Sequence, residues 1–176
     1  MDAVTDAKAR SVELLTTTYF YDRLHARLDG LTDEEHLWHP VPDALTIDPD
    51  ASGPVPRGRD GQVTTIAWRL AHIGDGLREE RNWHWLGRQP VLLDHEIRHA
   101  PTAAGGIAYL EASHAAWRDL LGSLTPDELW SPIGPAAGPY AATERIDFVL
   151  HMVDELIHHA AEVALLRDLY AAMSGR

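Results

Sequence analysis

Apolar and polar residues alternate with a helical period along much of this chain. The clearest stretch is residues 143–170, which contains neither proline nor glycine. Apolar residues spaced by three and four positions lie on one face of an α-helix. In this stretch they are Ile146, Val149, Leu150, Val153, Leu156, Ile157, Ala160, Val163 and Ala164. The pattern predicts one long helix with a buried stripe.

Three further stretches show the same period. Residues 4–28 and 103–121 are predicted to form the first and third helices. The second helix is predicted over residues 63–85. Either Thr64 or Thr65 is expected to cap its N-terminus, because a threonine oxygen can accept a hydrogen bond from a free amide of the first turn.

These four amphipathic helices, without a convincing strand, predict an all-α fold of the four-helix-bundle type. Residues 40–62 are rich in proline, glycine and aspartate and have neither a helical nor a strand period, so they are predicted to form a long loop. A loop of this length between the first two helices favours a crossover connection over a tight hairpin. With 176 residues, the chain is most simply one domain spanning residues 1–176.

Charge and composition narrow the functional classes. The formal net charge is −12 and the chain has no basic run, so nucleic acid and anionic membranes would be repelled. No stretch approaches the roughly 18 consecutive apolar residues of a membrane span. The first residues lack an apolar signal core. Cysteine is absent, which excludes disulfides and a cysteine nucleophile and fits a reducing compartment. We expect a cytoplasmic protein.

The polar face of the last predicted helix carries candidate chemistry. At about 100° per residue, Glu155 and His159 point into one sector, flanked by Phe148, Met152 and Leu166. A carboxylate and an imidazole beside apolar groups need a partner that offsets their desolvation. A divalent metal is one such partner. The alternative is a plain Glu–His ion pair, which is common at this spacing on helix surfaces.

His72 is the best candidate for a third ligand. A catalytic zinc typically has three protein ligands and one open position. His72 lies on the second predicted helix, with Trp68 one turn before it and Gly76 one turn after it. Gly74 and Gly76 weaken that helix unless something approaches it closely there. The alternative role for His72 is that of a core histidine bonded to a carbonyl group.

Three segments together resemble the DinB-like superfamily of four-helix proteins, a family of proposed metalloenzymes. They are TTIAWRLAHIGD at residues 64–75, the preceding linker with Trp38 and Pro40, and ELIHHAAEVALLR at residues 155–167. The resemblance covers nearly the whole chain, from the first helix to Arg167. It implies a bundle of up-down-down-up order that is often dimeric, so we expect a homodimer.

Within that superfamily, the chain is similar to the branch of mycothiol-dependent maleylpyruvate isomerase, which carries a histidine followed by Glu-x-x-x-His. His72, Glu155 and His159 match this pattern and are the implied metal ligands. Zinc is the first expectation, with nickel, iron or manganese as alternatives that accept the same donors. No residue stands out as a general acid or base.

The resemblance also implies a reaction with a small-molecule substrate. Because the chain has no cysteine, a thiolate would come from a low-molecular-weight thiol such as mycothiol or bacillithiol, in S-transfer or isomerisation. Residues 40–62 and 132–142 are expected to form the mouth of the site. Two alternatives stay open: a metal-dependent hydrolase, and a non-catalytic dimeric protein that binds metal and a small molecule.

The remaining histidines receive simpler interpretations. His151, one turn before Glu155, is a candidate for orienting that carboxylate. His114 is expected in the core. Four histidines in predicted loops or turns are expected to be solvated. They are His36, His39, His95 and His99.

Overall fold

The computed structural model describes residues 3–59 and 61–175, and over these residues the chain is helical, without a β-strand. Two isolated β-bridges join Leu45 to Thr64 and Pro132 to Glu144. The helices are α1 Ala3–Thr18, α2 Asp33–His36, α3 Ile66–Arg78, α4 Glu80–Trp85, α5 Ala103–Gly122, α6 Pro126–Leu129 and α7 Arg145–Ser174. The predicted all-α class is confirmed. The up-down-down-up order of the helices stays a prediction.

The first predicted helix is helical to its end but changes its hydrogen-bonding pattern. After α1 the backbone forms a π-helix at Tyr19–Leu24 and a 3₁₀-helix at His25–Leu28. Within the π-helix, Phe20 and Leu24 are both buried. The Phe20 ring stacks on the buried imidazole of His114 with a centroid separation of 3.6 Å. His114 therefore lies in the core, as predicted.

The second predicted helix is two helices, which corrects the prediction of one helix over residues 63–85. The break is at Glu79, whose ψ of 126° is far from helical. The Asn82 side chain donates to the Gly76 carbonyl oxygen, which would accept from the Glu80 amide in a continuous helix. That amide instead donates to Asp94 Oδ1 at 3.0 Å. Both changed partners stabilise the break.

At its other end, α3 begins at Ile66, three residues later than predicted. The Thr65 hydroxyl oxygen accepts from the Trp68 amide at 3.1 Å, so Thr65 is the N-cap. Before it, the Thr65 amide donates to the Leu45 carbonyl oxygen at 2.8 Å. This hydrogen bond connects the backbone just before α3 to the segment that precedes the helix.

Helix α3 packs against both α5 and α7, and α7 also contacts α1 and the π-helix. Helix α3 approaches α5 closely at Gly74, where a Cβ atom would lie 2.5 Å from the Tyr109 ring. The glycine that weakens α3 therefore permits this approach. The packing on α7 places His72 beside the polar sector of the last helix. None of the described helices combines the length and apolar character needed to cross a bilayer.

The segment between α2 and α3 lies against α3 through a small apolar cluster. Ile47 and Val55 are buried there against Ala67, Trp68 and Ala71. The described residues of this segment form no helix after α2. Their packing brings the end of the segment next to the face of α3 that carries His72.

Candidate metal centre

The side chains of His72, Glu155 and His159 come together between α3 and α7. One nitrogen or carboxylate oxygen from each residue lies within 4.8 Å of those of the other two. The His72 and His159 ring centroids are 4.7 Å apart, with the rings at 77°. His159 Nε2 is 3.3 Å from Glu155 Oε2. The helices thus gather the three residues that the sequence analysis selected, in an arrangement that a single ion can share.

Local sequence explains the orientation of these side chains. Glu155 and His159 are one turn apart on α7 and so project from the same face. Trp68 lies one turn before His72 on α3, and its ring stacks on the imidazole at 4.6 Å with an interplanar angle of 16°. This stacking restricts the rotation of the His72 ring.

A second carboxylate binds the other nitrogen of His159. Glu162 Oε2 lies 2.6 Å from His159 Nδ1. Arg69 NH1 lies 2.9 Å from the same nitrogen and 3.0 Å from Glu162 Oε2. A guanidinium can only donate, and Glu162 Oε2 can accept from it, whereas the shorter contact between Nδ1 and the carboxylate requires a proton from the imidazole, so we assign Nδ1 as the donor. Histidines that bind metals usually donate their other N–H to such an acceptor, which orients the ring and raises its basicity.

This assignment has a consequence for the opposite side of the ring. In a neutral His159 with its proton on Nδ1, Nε2 carries a lone pair facing the Glu155 carboxylate at 3.3 Å. Two electron-rich atoms at this separation need a positive charge between or beside them. A metal ion would supply this positive charge. A second proton on the His159 ring would also supply it, and the contact would then be the Glu–His ion pair that the sequence analysis gave as the alternative. The donor set, with two imidazoles and one carboxylate, fits a divalent transition metal.

His72 is a neutral donor at physiological pH. Burial and, to a smaller extent, the charges of His159 and Arg69 together lower its pKa to about 4, against the opposing effect of Asp75 and Glu155. A metal binds only the neutral form of imidazole, so a low pKa keeps protons from competing for the ligand nitrogen. The environment of His72 therefore favours ligation over protonation.

Arg69 stabilises the carboxylate behind His159. Its NH1 atom lies 3.0 Å from Glu162 Oε2, and its guanidinium carbon is 4.9 Å from the centroid of the Trp68 ring. Burial lowers the pKa of Arg69, while Glu162 opposes the shift. Arg69, Glu162 and His159 thus form a connected chain of charge and hydrogen bonds leading to the site.

The three candidate ligands line a cavity of about 580 Å³, bounded by α3, α4, α7 and the end of the segment before α3. Ligand pockets of roughly 300–1,000 Å³ suit small molecules. Residues 57–59 and 61–62 contribute to the mouth, as expected for part of the 40–62 segment. Residues 132–142 do not line this cavity, so their expected place at the mouth was wrong.

Two other groups on α7 have potential ligand atoms close together. One contains His158, His159 and Glu162, and the other His151, Asp154 and Glu155. Each lies on one helix and includes exposed side chains, whereas the group with His72 joins two helices and contains none. A ligand set shared by two packed helices is better fixed, which favours the group with His72.

Sequence reasoning missed the role of Glu162 and misplaced two histidines. His151 is exposed, and one of its ring nitrogens lies within 4.8 Å of a Glu155 carboxylate oxygen, so its role in orienting that carboxylate stays a prediction. Glu162 could have been found from its spacing of three residues after His159. His36 and His99, expected to be solvated, are both buried.

The buried positions of those two histidines have specific causes. His36 fits where α5 has a glycine, since a Cβ atom on Gly106 would lie 2.7 Å from the imidazole. His99 Nε2 lies 3.3 Å from the buried Asp75 Oδ2. Both side chains thus pack against residues of distant helices. The residues next to each histidine in the sequence do not reveal these contacts.

Comparison with protein families agrees with this fold. A family model described as the DinB superfamily matches residues 16–163, which include His72, Glu155 and His159. The chain belongs to the DinB superfamily. Comparisons with curated proteins and with solved structures found no match. Because the match is to the DinB superfamily as a whole, the isomerase branch stays a prediction.

Proposed function

We propose that this DinB superfamily chain is a metal-dependent enzyme whose His72, Glu155 and His159 hold one divalent ion. The observation that carries the proposal is the convergence of their ligand atoms, within 4.8 Å of one another, on the wall of a 580 Å³ cavity. Zinc is the first choice for the ion, and nickel, iron or manganese accept the same donors.

The chain's own residues hold and orient the ligands. Glu162 accepts a hydrogen bond from His159 Nδ1, and this orientation of the ring directs Nε2 toward Glu155. Arg69 pairs with Glu162, which keeps that carboxylate in place. Trp68 fixes the plane of His72 by stacking. These contacts pre-organise the site before any ion or substrate enters.

A divalent ion in this site would supply Lewis acidity and lower the pKa of a thiol or a water bound beside it. The chain contains no cysteine, so a thiol nucleophile must enter as a separate molecule. We propose a low-molecular-weight thiol such as mycothiol or bacillithiol. In S-transfer, its sulfur would bond to an electrophilic carbon of the second substrate as the bond from that carbon to its leaving group breaks, and the thiol proton would pass to solvent. In isomerisation, the sulfur would add to a carbon–carbon double bond and would be eliminated again after rotation about the resulting single bond.

The cavity suits this two-substrate use. Its volume admits a small molecule beside the ligands, and the exposed His151 and His158 side chains line it and connect it to solvent. Proton exchange with water therefore needs no opening of the fold.

A thiol-dependence assay tests the proposal. Metal-loaded protein is mixed with 1-chloro-2,4-dinitrobenzene and each candidate thiol, before and after chelation and after zinc is restored. We expect turnover that requires both thiol and metal, and its loss in Glu155→Gln but not in the exposed control His84→Ala.

Other outcomes separate the competing functions. Activity that survives complete chelation would refute a metal-dependent enzyme. Metal-dependent hydrolysis of ester substrates without any thiol would show that water is the nucleophile. Metal binding without turnover of either substrate class would indicate a binding protein.

A further inference from the structure

The cavity at the candidate metal centre differs in charge from the rest of the molecule. The whole chain has a formal net charge of −12. Among the residues that the structure describes, the cavity is nevertheless lined by more arginines than acidic residues. The arginines are Arg57, Arg59, Arg69 and Arg81, and the acidic residues are Glu79, Glu155 and Glu162. A divalent ion would add two further positive charges at its wall.

Two of these arginines are neutralised by neighbours. Arg69 pairs with Glu162 at 3.0 Å, as described above. Arg81 NH2 lies 2.8 Å from Glu79 Oε2. Because these two guanidinium groups are paired with carboxylates of the protein, they are less available to bind an anionic ligand.

Arg57 and Arg59 have no such neighbour in the part of the chain that the structure describes. Both are exposed at the mouth of the cavity, and neither side chain forms an ion pair or hydrogen bond with any residue the structure describes. Asp60, which separates Arg59 from Gly61, lies outside the described residues. The rim therefore presents two guanidinium groups whose donors are available to a ligand.

The backbone that carries these two arginines is anchored on both sides. On one side, the Val55 amide donates to Asp75 Oδ2 at 2.8 Å, and Asp75 is a buried residue of α3. On the other side, the Arg59 amide donates to the Gln62 side-chain oxygen at 3.2 Å, and the Leu45 amide donates to the Val63 carbonyl oxygen at 2.9 Å. An anchored backbone loses less conformational entropy when its side chains bind a ligand.

We propose that Arg57 and Arg59 bind the carboxylate or phosphate group of a small anionic substrate whose reacting end lies at His72, Glu155 and His159. This inference rests on the proposed function for the position of the reacting end. Guanidinium groups bind both oxyanions through paired, charge-assisted hydrogen bonds. The excess positive charge around the cavity concentrates anions against the repulsion of the remaining acidic surface.

Calorimetric binding to the 176-residue chain tests this inference, with and without zinc. The probes are succinate, inorganic phosphate and the uncharged analogue succinamide. The test variant is Arg57→Gln with Arg59→Gln. The control variant, Arg23→Gln with Arg118→Gln, loses the same charge at exposed positions that do not line this cavity.

We expect at least one of the two anions to bind the wild type and succinamide not to bind. The rim variant should bind that anion about ten-fold more weakly, which corresponds to about 1.4 kcal/mol. The control variant should stay within two-fold of the wild type. The preferred anion tells a carboxylate substrate from a phosphate one.

Failure of either anion to bind, or equal affinity in the rim variant and wild type, would overturn the inference. Zinc content measured on the same preparations separates this from failure of the proposed function. Full zinc content with an unaffected rim variant contradicts only the rim inference. Lost anion affinity in the rim variant without zinc binding supports the rim and contradicts only the metal site.

Discussion

His159 Nδ1 lies 2.6 Å from Glu162 Oε2, and this contact determines which nitrogen of the ring faces the candidate site. Because the carboxylate can only accept, the proton lies on Nδ1 and Nε2 is left to face Glu155. Glu162 is in turn paired with the buried Arg69 at 3.0 Å. The chemistry of the site therefore depends on a residue that is not itself one of the three candidate ligands.

Glu162→Gln tests that dependence. The amide can still accept from Nδ1, but it loses the charge that favours the proton there and the pairing with Arg69. We expect metal affinity to fall by about 10–100-fold, the usual cost of losing such a partner. Competition against a chromophoric chelator measures the affinity. The matched control is Glu111→Gln, which removes a carboxylate that pairs with His25 far from the cavity and should leave affinity unchanged. Unaltered affinity in Glu162→Gln would contradict the assigned role.

The pH dependence of stability has a predicted direction from His114. Burial lowers the pKa of His114 from 6.5 to about 4. Between these values the unfolded chain binds a proton that the folded chain does not, so stability rises with pH across this window and is lost as pH falls. The contribution is at most roughly 3 kcal/mol.

Urea unfolding between pH 4 and 7 checks this direction. His114→Phe keeps an aromatic ring against Phe20, which stacks on the wild-type imidazole at 3.6 Å, and removes the titrating group. The variant should show a shallower rise in unfolding free energy with pH than the wild type. A slope identical to that of the wild type would show that His114 is not the group responsible.

The close approach of α3 and α5 predicts opposite effects for two glycine substitutions. In Gly74→Ala the new Cβ atom would lie 2.5 Å from the Tyr109 ring, which is pinned by a 2.7 Å hydrogen bond to Asp75. We expect a loss of about 1–3 kcal/mol from overpacking. In Gly122→Ala the Cβ atom meets nothing within 4 Å, and this helical position should be neutral or stabilised by up to about 1 kcal/mol. Thermal unfolding compares the two, and equal stability would contradict the packing.

Asp75 joins the segment before α3 and helix α5 to α3, so its removal should affect both fold and site. Its carboxylate accepts from the Val55 amide at 2.8 Å and from Tyr109 at 2.7 Å. Asp75→Ala leaves the buried Val55 amide and the half-buried Tyr109 hydroxyl without this partner, at an expected cost of about 2–4 kcal/mol. Faster hydrogen exchange of the Val55 amide would accompany that loss. Slow exchange at Val55 in the variant would show that another contact holds the segment.

Sequence periodicity predicted the two long helices that continue without a break. The third and fourth predicted helices, residues 103–121 and 143–170, differ from α5 and α7 by only a few residues at their ends. The break at Glu79 was not predictable in this way. It depends on the Asn82 side chain and on Asp94, whose partners are known only once the chain is folded.

In the candidate site, too, the contacts within one helix could be predicted from the sequence, whereas the contacts between helices could not be predicted from periodicity. The spacing of Glu155 and His159 places them on one face of any helix. Their meeting with His72 requires α3 to pack on α7, which the family resemblance implied and the periodicity alone did not. The burial of His99 likewise depends on Asp75, a residue distant in sequence.

The most direct test is the metal content of protein purified without an affinity tag, measured by inductively coupled plasma mass spectrometry. The account predicts about one divalent ion per chain in the wild type and in His84→Ala. His72→Ala and Glu155→Gln should lose most of it while circular dichroism shows an intact helical fold. A wild-type protein that takes up no stoichiometric zinc, nickel, iron or manganese would contradict the account.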